Sequence, residues 1–568
     1  MFRSHMLAVV GRVPQTLMIK LLIFPTLLMI IGLVFMGQML PIYAGAHGAG
    51  RYSYDQDPAY VYLFSGLTIL GGHSPTHIDH PGTPLQVLTA IIIFVRWVLF
   101  WIAGKESEGV ISSVLSEPEL YIESISWVLL ALNGWATFYL GRRIYKSTNN
   151  TSYALFCQSA PLAFAVVAPR IVYLSPEALL IFTSYCLLGV LAPFLFGVND
   201  NNKSDKVSLQ VGILCGFGAA VKITFVPLLG LIFLLNGRKS QIRALQYAVV
   251  AWLVCILPII ANMKRMFDWN SSLILHSGLY GTGEKNIIDV DAILGRVVDM
   301  FEVYPFFFIV AFALLFMGLT NISKALAHVI NRASFWSANN FKKNNISMPS
   351  FLNEKDSYVS LVLLMICGVQ TFLVLKHPGE QYMVPVLPLA FVGCVLVARQ
   401  GCAICSSSRL SMFLPMLLLG LSVLMAANAT SAAYASLQDS RRSIDESNAL
   451  IEAEMKKYSN PVVIGTYGCK LVECALAFGA VYSRGLDREV SHVLTNFIYY
   501  DIWNKKLSVF GVGWVDLDLV NEYTSKGREV LLLSRPWAYP KFLNEFRLKP
   551  LINTPIQSLY KITSVSTG

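Results

Sequence analysis

The residues whose types and spacing best suit chemistry lie in two short polar stretches. One is Tyr54-Asp55-Gln56-Asp57-Pro58-Ala59-Tyr60; the other is His77-Ile78-Asp79-His80-Pro81-Gly82-Thr83-Pro84-Leu85-Gln86. A hydroxyl is a poor nucleophile until a carboxylate within hydrogen-bond reach accepts its proton, and Asp55 or Asp57 could be that base. Two carboxylates at i and i+2 of an extended strand point to one side. Such a pair could share the work, raise one pKa by repulsion, or hold a divalent metal. A plainer reading gives Asp57 the N-cap and Pro58 the first position of a helix. In the second stretch Pro and Gly make a turn and open a helix near Pro84. The unpaired amides at that helix start favour an anion such as a phosphate headgroup, and a simple polar cap is the alternative. His77, Asp79 and His80 also permit a metal, but their spacing matches no established ligand signature.

These stretches must be positioned by membrane helices. Hydrophobic residues make up 55% of the 568 and charged residues only 14%, a composition foreign to soluble enzymes. Apolar runs of about 18 residues or more recur, each able to cross about 30 Å of hydrocarbon. Spans are expected near 21–40, 84–103, 124–141, 152–171, 177–197, 208–236 (one long helix or two short ones), 245–263, 303–321, 357–375, 382–399 and 409–428. That is eleven, or up to thirteen with broken helices. The first span is too long for a secretory signal core and reads as an anchor that stays in place. The net charge of +10 comes largely from short loops. There it sets orientation rather than pointing to nucleic acid.

Arg3, Arg12 and Lys20 put the N-terminus in the cytoplasm, so loop 41–83 and everything after about 430 face outside. Arg142, Arg143 and Lys146 conflict with this scheme: they should be inside, yet counting spans puts them outside. A re-entrant or broken helix would resolve the conflict.

Arg170, Lys222 and Lys376 each interrupt or end an apolar run. A charge within a span costs roughly 2.5–3.5 kcal/mol on insertion scales, so it is paired, functional, or snorkelling to the interface. The outer loop from Lys264 to Trp269, with His276–Gly283 beyond it, could bind sugar, act as a lid, or anchor at the interface. Six of the ten cysteines lie in apolar runs; Cys402 and Cys405 lack a second pair for zinc. Cys469 and Cys474 could form a disulfide if their region is outside the cytoplasm. After Thr430, charged helical stretches and short β-like runs such as Val462–Gly465 and Glu529–Leu533 suit a small α/β unit.

An acidic motif just after the first span, with an His-Pro-Gly motif opening the second, resembles the GT-C glycosyltransferases. That superfamily includes protein O-mannosyltransferases and bacterial transferases that decorate lipid A and lipopolysaccharide core. Asp55-Gln56-Asp57-Pro58-Ala59-Tyr60 with Asp79-His80-Pro81-Gly82 is most similar to its bacterial RgtA/B/C/D-like branch. Lys376…Tyr382-Met383-Val384-Pro385…Pro388 is similar to a K…YxxP…P pattern of the same proteins. The resemblance covers about residues 1–430. It implies a transmembrane catalytic unit over 1–430 with the acidic motif in loop 41–83, and a separate extracytoplasmic unit over 431–568. It also implies a polyprenyl-phosphate sugar donor, an acidic base in the first outer loop, and one inverting displacement in a multi-pass protein of the inner membrane. The acceptor would be a glycan, lipid or protein. Asp-Gln-Asp departs from the commoner Asp-Glu pair and leaves Asp55 and Asp57 both candidates, with Asp55 favoured because Asp57 suits a cap. His80, Lys222 and Lys376 are the candidates for stabilising the leaving phosphate. Tyr60, His77, Asp79, Gln86 and Tyr382 are candidates for holding substrate. No P-loop or GxGxxG fingerprint is present, consistent with a lipid-linked donor. No cofactor is required by this reading, although the carboxylates leave room for a divalent metal. A transporter or flippase of lipid or sugar, and a non-catalytic membrane scaffold, are the alternatives. Against a transporter, the polar clusters sit at one membrane face and no repeat is evident.

Overall fold

The computed structural model describes residues 15–39, 56–78, 82–197, 204–276, 290–319, 354–377, 379–405, 408–483, 485–502, 505–536 and 545–565. Asp55, Asp79 and His80 lie outside these residues. The chain is a polytopic α-helical membrane protein with a C-terminal sheet. Among the described residues six helices are long and apolar enough to cross a membrane. A seventh crossing is available if the pair Ala292–Val303 and Pro305–Leu319 counts as one broken span, bent by 102°. Pro305 explains the break, since it lacks an N–H and clashes with the preceding turn.

Helix Thr83–Ile102 has the length and composition expected of a span. At its start the Gln86 side chain donates to the His77 carbonyl, 2.7 Å away. Near its end Arg96 donates to Ser124 (2.9 Å) and lies over the Tyr121 ring, both in the first turns of helix Pro118–Thr148. The connecting chain folds back, with Trp97 donating to the Glu108 carbonyl and Val110–Ser116 packing on Asp487–Val493 of the sheet unit. The 31 residues of Pro118–Thr148 therefore start at the face of the sheet unit. At about 1.5 Å per residue they carry Arg142, Arg143 and Lys146 to the opposite face. Farther on, the expected span 208–236 is two segments. Helix Ser204–Val221 ends at Lys222, whose backbone is extended (φ −161°, ψ 139°), and the 3₁₀ segment Ile223–Leu234 runs back. Arg243 bonds Asp205 and Gln241 reaches the Phe233 carbonyl, so the outer ends of the pair meet again at one face.

The expected span 152–171 is also broken, into helix Thr151–Gln158 and 3₁₀ turns at Ala160–Leu162 and Ala168–Ile171. Pro161 and Pro169 end regular helix there. The buried Asn133 amide donates to the carbonyls of Leu129, Ile171 and Ala178, tying the end of the broken segment at Ile171 to its neighbouring helices.

Helix Ser408–Met455 runs unbroken for 48 residues out of the bundle and into the sheet unit. The sheet has strands β1 (Val462–Thr466), β2 (Phe497–Asp501), β3 (Lys506–Val509), β4 (Gly513–Val515), β5 (Val530–Ser534), β6 (Phe546–Asn553) and β7 (Ser558–Val565). Their order is β4-β3-β2-β1-β5-β7-β6. The central strands β2, β1 and β5 are parallel and entirely buried, as expected of strands covered on both faces. Alternation divides their side chains. Val463, Phe497, Tyr499, Leu531 and Leu533 join the apolar core of the bundle, while Val462, Ile464, Ile498, Leu532 and Val530 make a smaller core beyond it. One face of the sheet is thus continuous with the membrane helices. The Cys469–Cys474 disulfide, an open alternative in the sequence, is formed at the start of helix Val472–Val481.

Candidate functional site at the sheet-facing end of the bundle

Asp57 lies in a single wide turn, Gln56–Tyr60, with extended backbone (φ −116°, ψ 118°) and a cis peptide to Pro58. Regular helix begins only at Val61, with Tyr60 in the cap position. The N-cap role expected for Asp57 thus falls to another residue, three positions on. Asp57 is exposed, whereas Ala59 and Tyr60 are buried. The turn is held from three sides. The Tyr60 hydroxyl donates to the carboxylate of Glu119, in the first turn of Pro118–Thr148. Helix Val61–Leu70 continues from it, and helix Val472–Val481 of the sheet unit packs on both. Gly479 permits that packing, because a Cβ there would stand 2.5 Å from the Phe64 ring.

The electrostatics follow from enclosure. Burial, then the Glu119 charge, holds the Tyr60 hydroxyl well above its ordinary pKa. Enclosure by protein raises the partly buried Glu119 carboxyl above the usual carboxylate range, against the opposing hydrogen bond from Tyr60. Glu473 of the sheet unit adds repulsion to both groups, so it stands close to them. On β2, Tyr499 is pushed well above its ordinary pKa mainly by burial, with Asp57 among the nearby charges. Helix Val472–Val481 and Tyr499 of the C-terminal unit thus lie beside the acidic turn. Glu119 escaped the sequence reading because a glutamate after Pro118 is ordinary helix-start chemistry. Only the fold brings it under Tyr60.

The second stretch forms a clamp next to this turn. The buried His77 ring meets the edges of Tyr62 (5.4 Å) and Tyr482 (5.7 Å). Thr76 donates to the Tyr482 carbonyl (2.5 Å), which pins the loop to the sheet unit. Gly82 adopts φ 68°, and the Tyr62 hydroxyl occupies the space a Cβ would need, so both backbone and room call for glycine. The fully buried Gln86 supports the loop through its bond to His77.

The basic candidates separate into two places. Lys222 is buried and paired with Glu177 at 2.6 Å, and its ammonium lies 4.9 Å from the centre of the Tyr382 ring. Arg170 is close enough for its charge to act on Glu177. Tyr382 is fixed through its carbonyl by Gln370 (2.5 Å). Lys376 instead bonds the Ile274 carbonyl, beside His377 on the Leu273 carbonyl (2.8 Å), so the late loop docks on helix Met263–Leu275. Ile78 packs with Ala220, Ile256 and Ile259, which puts the His77 loop beside the end of the helix leading to Lys222. Among the described residues no group of three or more His, Cys, Asp or Glu side chains is arranged to hold a metal.

No protein-family model matches the chain, and no curated protein is found as a relative. Among solved structures it is similar to ArnT from Cupriavidus metallidurans bound to undecaprenyl phosphate, at 12% identity and a TM-score of 0.45, over 94% of this chain and 97% of that one. It is also similar to the apo oligosaccharyltransferase of Archaeoglobus fulgidus, at 11% identity and a TM-score of 0.42, over 93% of this chain and 73% of that one.

Proposed function

We propose that the chain is a membrane glycosyltransferase of the GT-C type. In this reading it moves a sugar from a polyprenyl-phosphate donor to a glycan, lipid or protein acceptor, on the non-cytoplasmic face of the inner membrane. One observation carries the reading: Asp57 is exposed on a turn whose following residues Ala59 and Tyr60 are buried and which is tied to three separate elements. A solvated loop would not need such anchoring. A base must be held in place, because misplacement of a reacting group by an ångström costs about 10²-fold in rate.

Asp57, or Asp55 two residues earlier, takes the proton of an acceptor hydroxyl. The hydroxyl oxygen forms a bond to the anomeric carbon from the side opposite the phosphate. The bond from that carbon to the phosphate oxygen breaks, its electron pair stays on the oxygen, and the configuration inverts. Negative charge grows on the departing polyprenyl phosphate, where preorganised cations are each worth roughly 10²–10³ in rate. Lys222 serves from within its pair with Glu177; with Arg170 beside it the group holds two cations and one carboxylate, a net positive centre. His80 and Lys376 are the further candidates. Tyr382 keeps the ammonium of Lys222 in place, and Tyr60, His77 and Gln86 hold the acidic turn and its neighbouring loop. Asp79 remains a candidate for binding substrate. The lipid tail needs only the apolar surfaces between helices, so no nucleotide site is called for.

The test is transfer from a radiolabelled polyprenyl-phosphate sugar by the purified full chain, with Asp55→Asn and Asp57→Asn made separately. At least one must lose the roughly 10²–10⁴-fold that general-base catalysis supplies, with unfolding temperature unchanged. Retained transfer in both variants overturns the assignment.

A further inference from the structure

A cavity of about 840 Å³ lies where three parts of the chain meet: helix Val110–Ser116, the end of the long helix Ser408–Met455, and the starts of β1 and β2. Its size falls within the roughly 300–1,000 Å³ of ligand sites. Apolar surface from Met455, Val463, Leu471 and Phe497 is interrupted by Glu452, Lys456, Glu473, Thr495 and Ser116. This mixture suits a sugar, whose faces carry C–H groups and whose edges carry hydroxyls. The two carboxylates and one ammonium sum to a net charge of −1. Glu452 and Lys456 line the cavity together, four residues apart on one helix. Anionic headgroups, including the phosphate of a lipid donor, are disfavoured by the charge balance.

The cavity adjoins the acidic turn. Ser116 on its wall precedes Glu119 by three residues, and Glu473 on its wall acts on both Tyr60 and Glu119. Tyr60 is three residues from Asp57 in the same turn. We infer that this cavity holds the headgroup of the acceptor, a neutral or amino-bearing carbohydrate, and presents it to the acidic turn. The inference rests on the transferase reading for its role in the reaction, but the binding itself can be measured without turnover.

Three probes separate the chemistry: maltotriose (neutral), a fully deacetylated glucosamine trisaccharide (cationic) and trigalacturonic acid (anionic). Each is titrated against the full chain in nanodiscs by isothermal calorimetry and by saturation-transfer NMR. The neutral or the cationic trisaccharide binds, and the anionic one binds at least tenfold more weakly. Thr495→Trp, an exposed position that fills the cavity, and the isosteric Glu452→Gln each weaken binding at least fivefold. Neither change alters slow release of sugar from the donor to water, which reports the acidic turn alone. Equal or tighter binding of trigalacturonic acid overturns the inference, as does binding by none of the three or unchanged affinity in Thr495→Trp. Absence of donor turnover by the unmodified protein, with the trisaccharide still bound, refutes the transferase reading and leaves the sugar site standing.

Discussion

Tyr60→Phe isolates the contact that holds the acidic turn to the membrane bundle. The change removes one oxygen from a buried ring and leaves its apolar surface in place, so packing is preserved. What is lost is the hydrogen bond from the phenol to Glu119. Hydrogen bonds to charged groups contribute about 1.5–3 kcal/mol, and the carboxylate left behind keeps the repulsion of Glu473 with only its backbone hydrogen bond to offset it. If that contact fixes Asp57, its loss appears in the barrier. At 1.36 kcal/mol per decade, the expected fall in kcat/KM for sugar transfer is roughly ten- to a hundredfold. The assay follows release of polyprenyl phosphate from a synthetic donor by the purified full chain, beside thermal unfolding in the same detergent. A positioning role predicts a fall in kcat larger than any rise in donor KM. A Tyr60→Phe protein with kcat/KM within twofold of the parent would refute the reasoning that the turn is held through Tyr60.

Further outcomes follow from the same geometry. Glu119 has its folded pKa raised, so its ionised form is disfavoured in the folded chain; there is no penalty below the unfolded carboxylate range, and one develops as pH rises above about 4.3. Glu119→Gln therefore raises the unfolding temperature at pH 7 relative to the parent and loses that advantage at pH 4, a comparison made by thermal scans at the two pH values. Lys222→Met leaves Glu177 buried without its ammonium and lowers stability by about 3–5 kcal/mol, while Lys222→Met combined with Glu177→Gln recovers much of it in the same scans. A cysteine at Lys105 is labelled by impermeant maleimide from the same side as one at Val512, and a cysteine at Lys146 from the other side. Labelling of Lys105 from the side opposite to Val512 would show that Thr83–Ile102 crosses the bilayer.

Much of the bundle was legible because membrane helices announce themselves by length and apolarity. Length and apolarity leave the breaks and the partners open: Thr83–Ile102 satisfies both and is a span-length helix as expected, and only the fold sets its Arg96 against Ser124. Lys222 marks the opposite case: a charge within an apolar run coincides with extended backbone that divides one expected span into two. The acidic turn and the His77 loop were visible as polar residues in apolar surroundings. The roles within them were not, since His77 owes its burial to Tyr62 and Tyr482, more than 400 residues apart in sequence. Glu119, Glu177 and Glu473 were silent for the same reason: each is an unremarkable helix-start glutamate until the fold supplies its partner. Asp55, Asp79 and His80 lie outside the described residues, and their roles rest on the sequence motifs.

The central claim is that the acidic turn performs sugar transfer from a polyprenyl phosphate. Its most direct test is a single-turnover reaction of the purified chain with a labelled polyprenyl-phosphate sugar, comparing the parent with the double variant Asp55→Asn/Asp57→Asn. The account predicts free polyprenyl phosphate and an inverted sugar product from the parent, with a loss of at least roughly 10²-fold in the folded double variant. Donor cleavage at the same rate in both proteins would contradict it.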